Sequence, residues 1–128
     1  MKPELTLLVC AVGLAIIQIV VAVLLAIPQV GLPALLGNRE DMPALEGAAD
    51  RAQRAYRNML ESLVLFAALV LTATAAGRAN ATVVLGAQLF IWARLAYAII
   101  YVIGIPLLRT LSWAVALVGM LLILFQLL

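Results

Sequence analysis

Histidine is absent from the 128 residues, and that gap removes imidazole metal ligands, imidazole general bases and serine triads together. Cysteine occurs once, at Cys10 inside an apolar run, so there is no disulfide framework and no indication of redox compartment. Charge is scarce as well. Charged residues make up 11% of the chain, the net charge is +2, and no run of Lys or Arg suggests a nucleic-acid surface. Hydrocarbon is what the chain has in excess: 67% of the residues are hydrophobic, far outside the soluble globular range. The composition reads as a single integral membrane domain, residues 1–128, with no length left for a soluble module.

Four apolar segments follow one another, at about residues 5–27, 53–76, 81–103 and 107–128. Each is long enough, at 1.5 Å per residue, to cross a hydrocarbon core of ~30 Å. A signal peptide is a poorer reading of the first, which is too long for the usual apolar region and has no clear cleavage site after it. Gly77-Arg78-Ala79-Asn80 ends the second segment and Gly104-Ile105-Pro106 the third. The one long connection, Pro28 to about Gly47, is spaced with Pro and Gly and reads as a loop holding at most one short turn. The other connections are short, so neighbouring helices should run antiparallel in an up-down four-helix bundle. Arg39, Arg51, Arg54, Arg57 and Arg109 lie on the side of the first and third connections, against Lys2 and Arg78 on the other. That excess places those two connections in the cytoplasm and both termini outside.

Residues 50–61 concentrate the polar side chains. At 100° per residue, Asp50, Arg51, Arg54, Arg57, Asn58 and Glu61 fall within an arc of roughly 120° on one helix. Burying such groups without partners costs several kcal/mol, and ionisable residues at membrane depth mark functional sites by default. A second stripe lies on the third segment, where Arg94, Tyr97 and Tyr101 share an arc of roughly 60°. Arg94 is midway along an apolar helix and needs a carboxylate, a carbonyl or water. Glu61, the only acid well inside an apolar segment, is its expected partner. Arg109 opens the fourth segment against the helix dipole, a position that an anion to bind would explain.

These residues carry a family resemblance. Asp50-Arg51-x-x-Arg54-Ala55-x-x-Asn58-x-x-Glu61 resembles the second-helix signature of the MAPEG family, the membrane-associated proteins in eicosanoid and glutathione metabolism. Asp50 is a conservative departure from a leading Glu. Asn38-Arg39-Glu40-Asp41 resembles the run that often precedes the signature, Ala93-Arg94-Leu95-x-Tyr97-x-x-x-Tyr101 the third-helix motif, and Pro106-Leu107-Leu108-Arg109-Thr110 the start of the fourth helix. Two departures stand out. Ala26-Ile27-Pro28-Gln29 occupies the place of a basic cluster that many active relatives carry, and Ser62 follows Glu61 where several have Tyr.

The resemblance, to small bacterial-type members, implies a homotrimer of four-helix subunits in a bacterial inner membrane. Glutathione would bind as co-substrate between subunits, near the cytoplasmic face. By position, Arg54, Asn58, Glu61 and Tyr97 match residues that hold the tripeptide, while Arg57, Arg94 and Tyr101 match positions lining the same pocket. Arg109 matches the arginine that stabilises the thiolate, and so carries the catalytic role. No metal is implied. The implied activity is a glutathione-dependent transferase or peroxidase acting on lipophilic electrophiles or lipid hydroperoxides that arrive through membrane lipid. The chemistry is sound: arginines bind carboxylates bidentately, Glu61 can take the amine, and a cation beside sulfur favours the thiolate.

Plainer readings stand beside these. A catalytically silent trimeric scaffold or lipid- or thiol-binding protein would have the same fold. An Arg94–Glu61 pair could simply fix helix register. Tyr97, Tyr101, Trp92 and Trp113 could be interfacial anchors or packing. Arg39 and Arg51 read as topology signals or headgroup contacts, Cys10 as an inert small hydrophobe, and Gln18, Gln53 and Gln88 as interhelical hydrogen-bond partners. A small multidrug transporter matches the length, but a proton-coupled carrier needs an acid deep in its first helix, and Leu5–Ile27 contains none.

Overall fold

A computed structural model describes residues 1–37 and 43–128. Helix α1 spans Pro3–Val30, a short α2 spans Leu32–Leu36, α3 spans Gly47–Ala75, α4 spans Ala81–Ile103 and α5 spans Pro106–Leu127. There is no strand among the described residues. The four long helices, of 28, 29, 23 and 22 residues, are each long and apolar enough to cross a membrane. The chain is therefore read as a multi-pass membrane protein.

Local sequence sets the helix ends. Pro3 and Pro106 sit in the first turns of α1 and α5, where a missing N–H costs nothing. Asn80 caps α4, its Oδ1 accepting from the Val83 N–H at 2.9 Å. Helix α3 closes with a Schellman arrangement. Gly77 takes φ +68°, the Arg78 N–H donates to the Ala73 carbonyl at 2.9 Å, and the Gly77 N–H to that of Thr74 at 3.2 Å. Pro28 does not end α1, which runs through it to Val30 and stops at Gly31. A proline in the last turn forfeits only one backbone bond, so the loop begins later than its position suggests. The Pro/Gly-spaced connection does hold its short turn, as α2. Asn38 to Met42, including the Asn38-Arg39-Glu40-Asp41 run, lie outside the described residues.

Side-chain bonds at the two ends of the bundle establish that its neighbouring helices are antiparallel. At the end bearing the termini, Thr74 Oγ1 donates to Glu4 Oε1 at 3.1 Å, Arg78 to the Leu127 carbonyl at 2.9 Å, and Asn80 to Gln126 at 2.8 Å. At the other end Gln29 and Glu46 bond reciprocally, and Arg51 reaches from α3 to α4. The core between them is compact and apolar. Phe66 of α3 stacks on Phe90 of α4 with ring centroids 4.0 Å apart, and Met59, Val70, Val83 and Ile123 are fully buried around them. Small residues let the helices close in: Ala11, Ala15, Ala22 and Ala26 line the inner face of α1. Gly86 and Gly119 bring α4 and α5 so near that a Cβ built on either would lie 2.5 Å from the other's carbonyl oxygen. Large apolar side chains such as Ile16, Val64, Leu85, Trp92 and Leu111 point outward, the arrangement expected where the solvent is hydrocarbon.

Candidate functional site

The polar arc of α3 divides once the helix is packed. Its inner edge faces α4. Arg51 Nε donates to the Val102 carbonyl at 2.9 Å and the guanidinium lies against Gly104, so Arg51 closes the C-terminal turn of α4. A cation on terminal carbonyls is favoured by the helix dipole. One edge position further along, Asn58 Oδ1 accepts from Arg94 Nη1 at 2.8 Å. The outer edge stays open: Arg54, Arg57 and Glu61 are exposed. Arg54 Nε is 3.1 Å from Asp50 Oδ2, an exposed i,i+4 pair of the kind worth about 0.3–0.5 kcal/mol.

Arg94 is the largest fully buried side chain, at 1% exposure. The expected Arg94–Glu61 pair does not form within the subunit. Glu61 is exposed and makes no ion pair among the described residues, and Asn58 takes the place beside the guanidinium. The reason is rotational: Asn58 lies some 60° closer to α4 around the helix than Glu61 does. Beyond the bond to Asn58, Arg94 lies over the Tyr97 ring with 4.1 Å from its central carbon to the ring centroid. Its Nε and Nη2 are buried and have no hydrogen-bond partner among the described residues. Two charged donors left open in an apolar interior are costly, and they mark where an acceptor is called for.

The aromatic residues extend the cluster towards α5. Tyr97 meets Tyr101 edge-on, centroids 5.5 Å apart, and Arg109 sits 4.7 Å over the Tyr101 ring. Asn58, Arg94, Tyr97, Tyr101 and Arg109 therefore form one continuous chain of contacts across three helices. Beside it a cavity of about 200 Å³ is lined by Asn58, Tyr97, Arg109, Thr110 and Trp113. The Arg109 guanidinium, the Tyr97 phenol and the Asn58 amide in its lining can together hold an anionic or strongly dipolar ligand and stabilise negative charge on it, while Arg94 lies behind Asn58 and Tyr97.

Of the eight expected site residues, five join this chain of contacts: Asn58, Arg94, Tyr97, Tyr101 and Arg109. Arg54, Arg57 and Glu61 sit on the exposed flank of α3 instead, apart from the cavity lining. Sequence reasoning missed Trp113 as a wall of the cavity, although its i+4 spacing from Arg109 places both on one face of α5. It also treated Arg51 as a topology or headgroup residue, whereas the structure gives it a carbonyl to hold. Glu4, buried against Thr74, was missed because it stands at the edge of an apolar run. Among the described residues no cluster of His, Cys, Asp and Glu could hold a metal ion.

Comparison with known proteins adds one match. Searches of curated proteins and of solved structures returned none. The MAPEG family matches over residues 7–128, which takes in α1 from its second turn, the other three long helices and every residue of the cluster just described. The chain belongs to the MAPEG family.

Proposed function

We propose that the protein is a glutathione-dependent membrane transferase or peroxidase acting on lipophilic electrophiles or lipid hydroperoxides. The observation that carries the reading is Arg94, buried in the helix bundle with two guanidinium nitrogens unpartnered among the described residues and in contact with Asn58 and Tyr97 of the Arg109 cavity lining. A tripeptide with two carboxylates and a thiol supplies the acceptors these donors lack, and a nearby cation favours the thiolate. Arg109, half-buried over Tyr101, is the residue assigned to the sulfur. Arg54, Arg57 and Glu61 lie on an exposed flank and suit a site that a neighbouring subunit completes, hence a homotrimer. The excess of arginine at the Arg51–Arg109 end supports placing that end in the cytoplasm of a bacterial inner-membrane protein.

A calorimetric titration of the purified protein with glutathione tests this reading. Saturable heat in the micromolar to millimolar range is expected, with thermal stabilisation alongside. A silent scaffold of the same fold is the second reading, and one observation favours it. The last turn of α1 holds no basic residue, and Gln29 there is engaged by Glu46 through bonds of 2.9 Å. Titration without heat or stabilisation would decide for the scaffold.

A further inference from the structure

Helix α4 hands over to α5 at a tight corner. Only Gly104 and Ile105 separate Ile103 from Pro106, and Gly104 turns the chain at φ +94°. Its N–H and that of Ile105 both donate to the Ile100 carbonyl, at 2.8 and 3.3 Å. Among the described residues no backbone N–H reaches the Val102 carbonyl. In a continuing helix the residue four further on would donate to it, and that residue is Pro106, which has no N–H. The donor comes from α3 instead, where Arg51 Nε bonds the Val102 carbonyl at 2.9 Å. Arg51 also packs on the turn itself: a Cβ built on Gly104 would lie 3.3 Å from its Nε and 3.5 Å from its Cδ.

That corner sets where Arg109 stands. Arg109 lies in the first turn of α5, its N–H donating to the Ile105 carbonyl at 3.1 Å. Its guanidinium rests 4.7 Å over the ring of Tyr101, in the last turn of α4. Asn58 of α3 shares the lining of the Arg109 cavity. Arg51 precedes Asn58 by about two turns on the same face of α3. Asn58 holds the middle of α4 through Arg94, and Arg51 holds its end. No hydrogen bond joins α3 directly to α5 among the described residues, so the hydrogen-bonded link between Asn58 and Arg109 runs through α4 and its corner. Arg51 itself does not line the cavity.

We infer that Arg51 is a positioning residue for the Arg109 site: it supplies the donor that Pro106 withholds from the Val102 carbonyl, and so locks the α4–α5 corner against α3. The role rests on the reading of Arg109 as the partner of the thiolate. A topology or headgroup residue would need only a positive charge at the membrane surface. Here a donor meets one carbonyl and a side chain packs on one glycine, which charge alone does not require. Electrostatic stabilisation depends on a cation held where charge develops, and a misplacement of about 1 Å costs up to about a hundredfold in rate.

The test compares two variants of the full chain in lipid nanodiscs. Arg51→Leu removes donor and charge, whereas Arg51→Gln removes the charge and keeps an N–H donor at the same position along the side chain. Arg51→Leu should bind glutathione within a few fold of the parent. Its thiolate absorbance and its turnover of a chlorodinitrobenzene probe should fall together, turnover by about ten- to a hundredfold. Arg51→Gln should recover most of both. Adding Arg51→Leu to Arg109→Ala should cost little more, because the first acts through the second. Parent-like absorbance and rate in Arg51→Leu overturn the proposal, as does a Gln variant no better than Leu, or a double variant whose losses multiply. A second arm needs no glutathione: spin labels on Leu60→Cys and Leu108→Cys, exposed positions of α3 and α5, in a Cys10→Ala background diluted with unlabelled protein. The distance distribution should broaden in Arg51→Leu and narrow again in Arg51→Gln, and an unchanged distribution overturns the proposal. A parent that binds no glutathione sinks the functional reading alone, and the labels then decide whether Arg51 fixes the corner.

Discussion

Arg94 and Asn58 form the one hydrogen bond joining two side chains across α3 and α4 among the described residues, Nη1 to Oδ1 at 2.8 Å. The bond sits where a guanidinium has no water to fall back on, so Asn58 does more for the fold than its small size suggests. Asn58→Leu strands all the Arg94 donors and should lower stability by about 2–3 kcal/mol. Asn58→Asp, which restores an acceptor and adds an opposite charge, should recover most of it. Reversible unfolding in mixed micelles measures both, and a Leu variant as stable as the parent would mean Arg94 has found another acceptor.

Glu61 behaves differently. It is exposed on the outer flank of α3 and makes no ion pair among the described residues. Glu61→Gln should therefore leave the ligand-free protein within about 0.5 kcal/mol of the parent, as surface changes usually do. Glutathione affinity should fall if the residue holds the amine. A large loss of ligand-free stability would instead place Glu61 against a neighbouring subunit's cation.

Arg109 separates chemistry from structure. It rests over the Tyr101 ring and lines the cavity, with no side-chain hydrogen bond among the described residues. Arg109→Ala should keep glutathione affinity within a few fold and reduce turnover by about 10²–10³, the usual effect of losing a focused electrostatic contact. The thiolate absorbance of bound glutathione near neutral pH should fall with the rate. Retention of both would leave the thiolate to another residue.

The α4–α5 contact gives a test free of any functional assumption. Gly86→Ala or Gly119→Ala must push apart two helix backbones, since the new methyl would lie 2.5 Å from a carbonyl oxygen. A loss of about 1–3 kcal/mol is expected from such overpacking. Gly13 is the control: it lies within α1, and a Cβ there meets nothing within 4 Å. Gly13→Ala should stabilise by up to about 1 kcal/mol through helix propensity alone.

Composition and segment length made the four helices legible, because burial in hydrocarbon leaves little choice of backbone. The clustering of Arg94, Tyr97 and Tyr101 was equally legible from helical spacing. Partner choice was not. Charge complementarity pointed Arg94 to Glu61, but rotation about α3 decides which side chain faces α4, and Asn58 does. Arg51 escaped for a related reason: its acceptor is a main-chain carbonyl, which carries no signature in the sequence. Pro28 marks the start of the connection by composition, yet a proline in the final turn forfeits only one bond and α1 runs on to Val30.

The reciprocal bonds between the Gln29 amide and the Glu46 backbone, each 2.9 Å, work as a clasp. They fasten the exit of α1 to the entry of α3 regardless of what the chain does in between. Doubling the length of such a tied-off excursion costs only about 0.6 kcal/mol in closure entropy. A connection tied off in this way can lengthen with the helices left in register, so the clasp is what frees the loop length from the bundle's geometry.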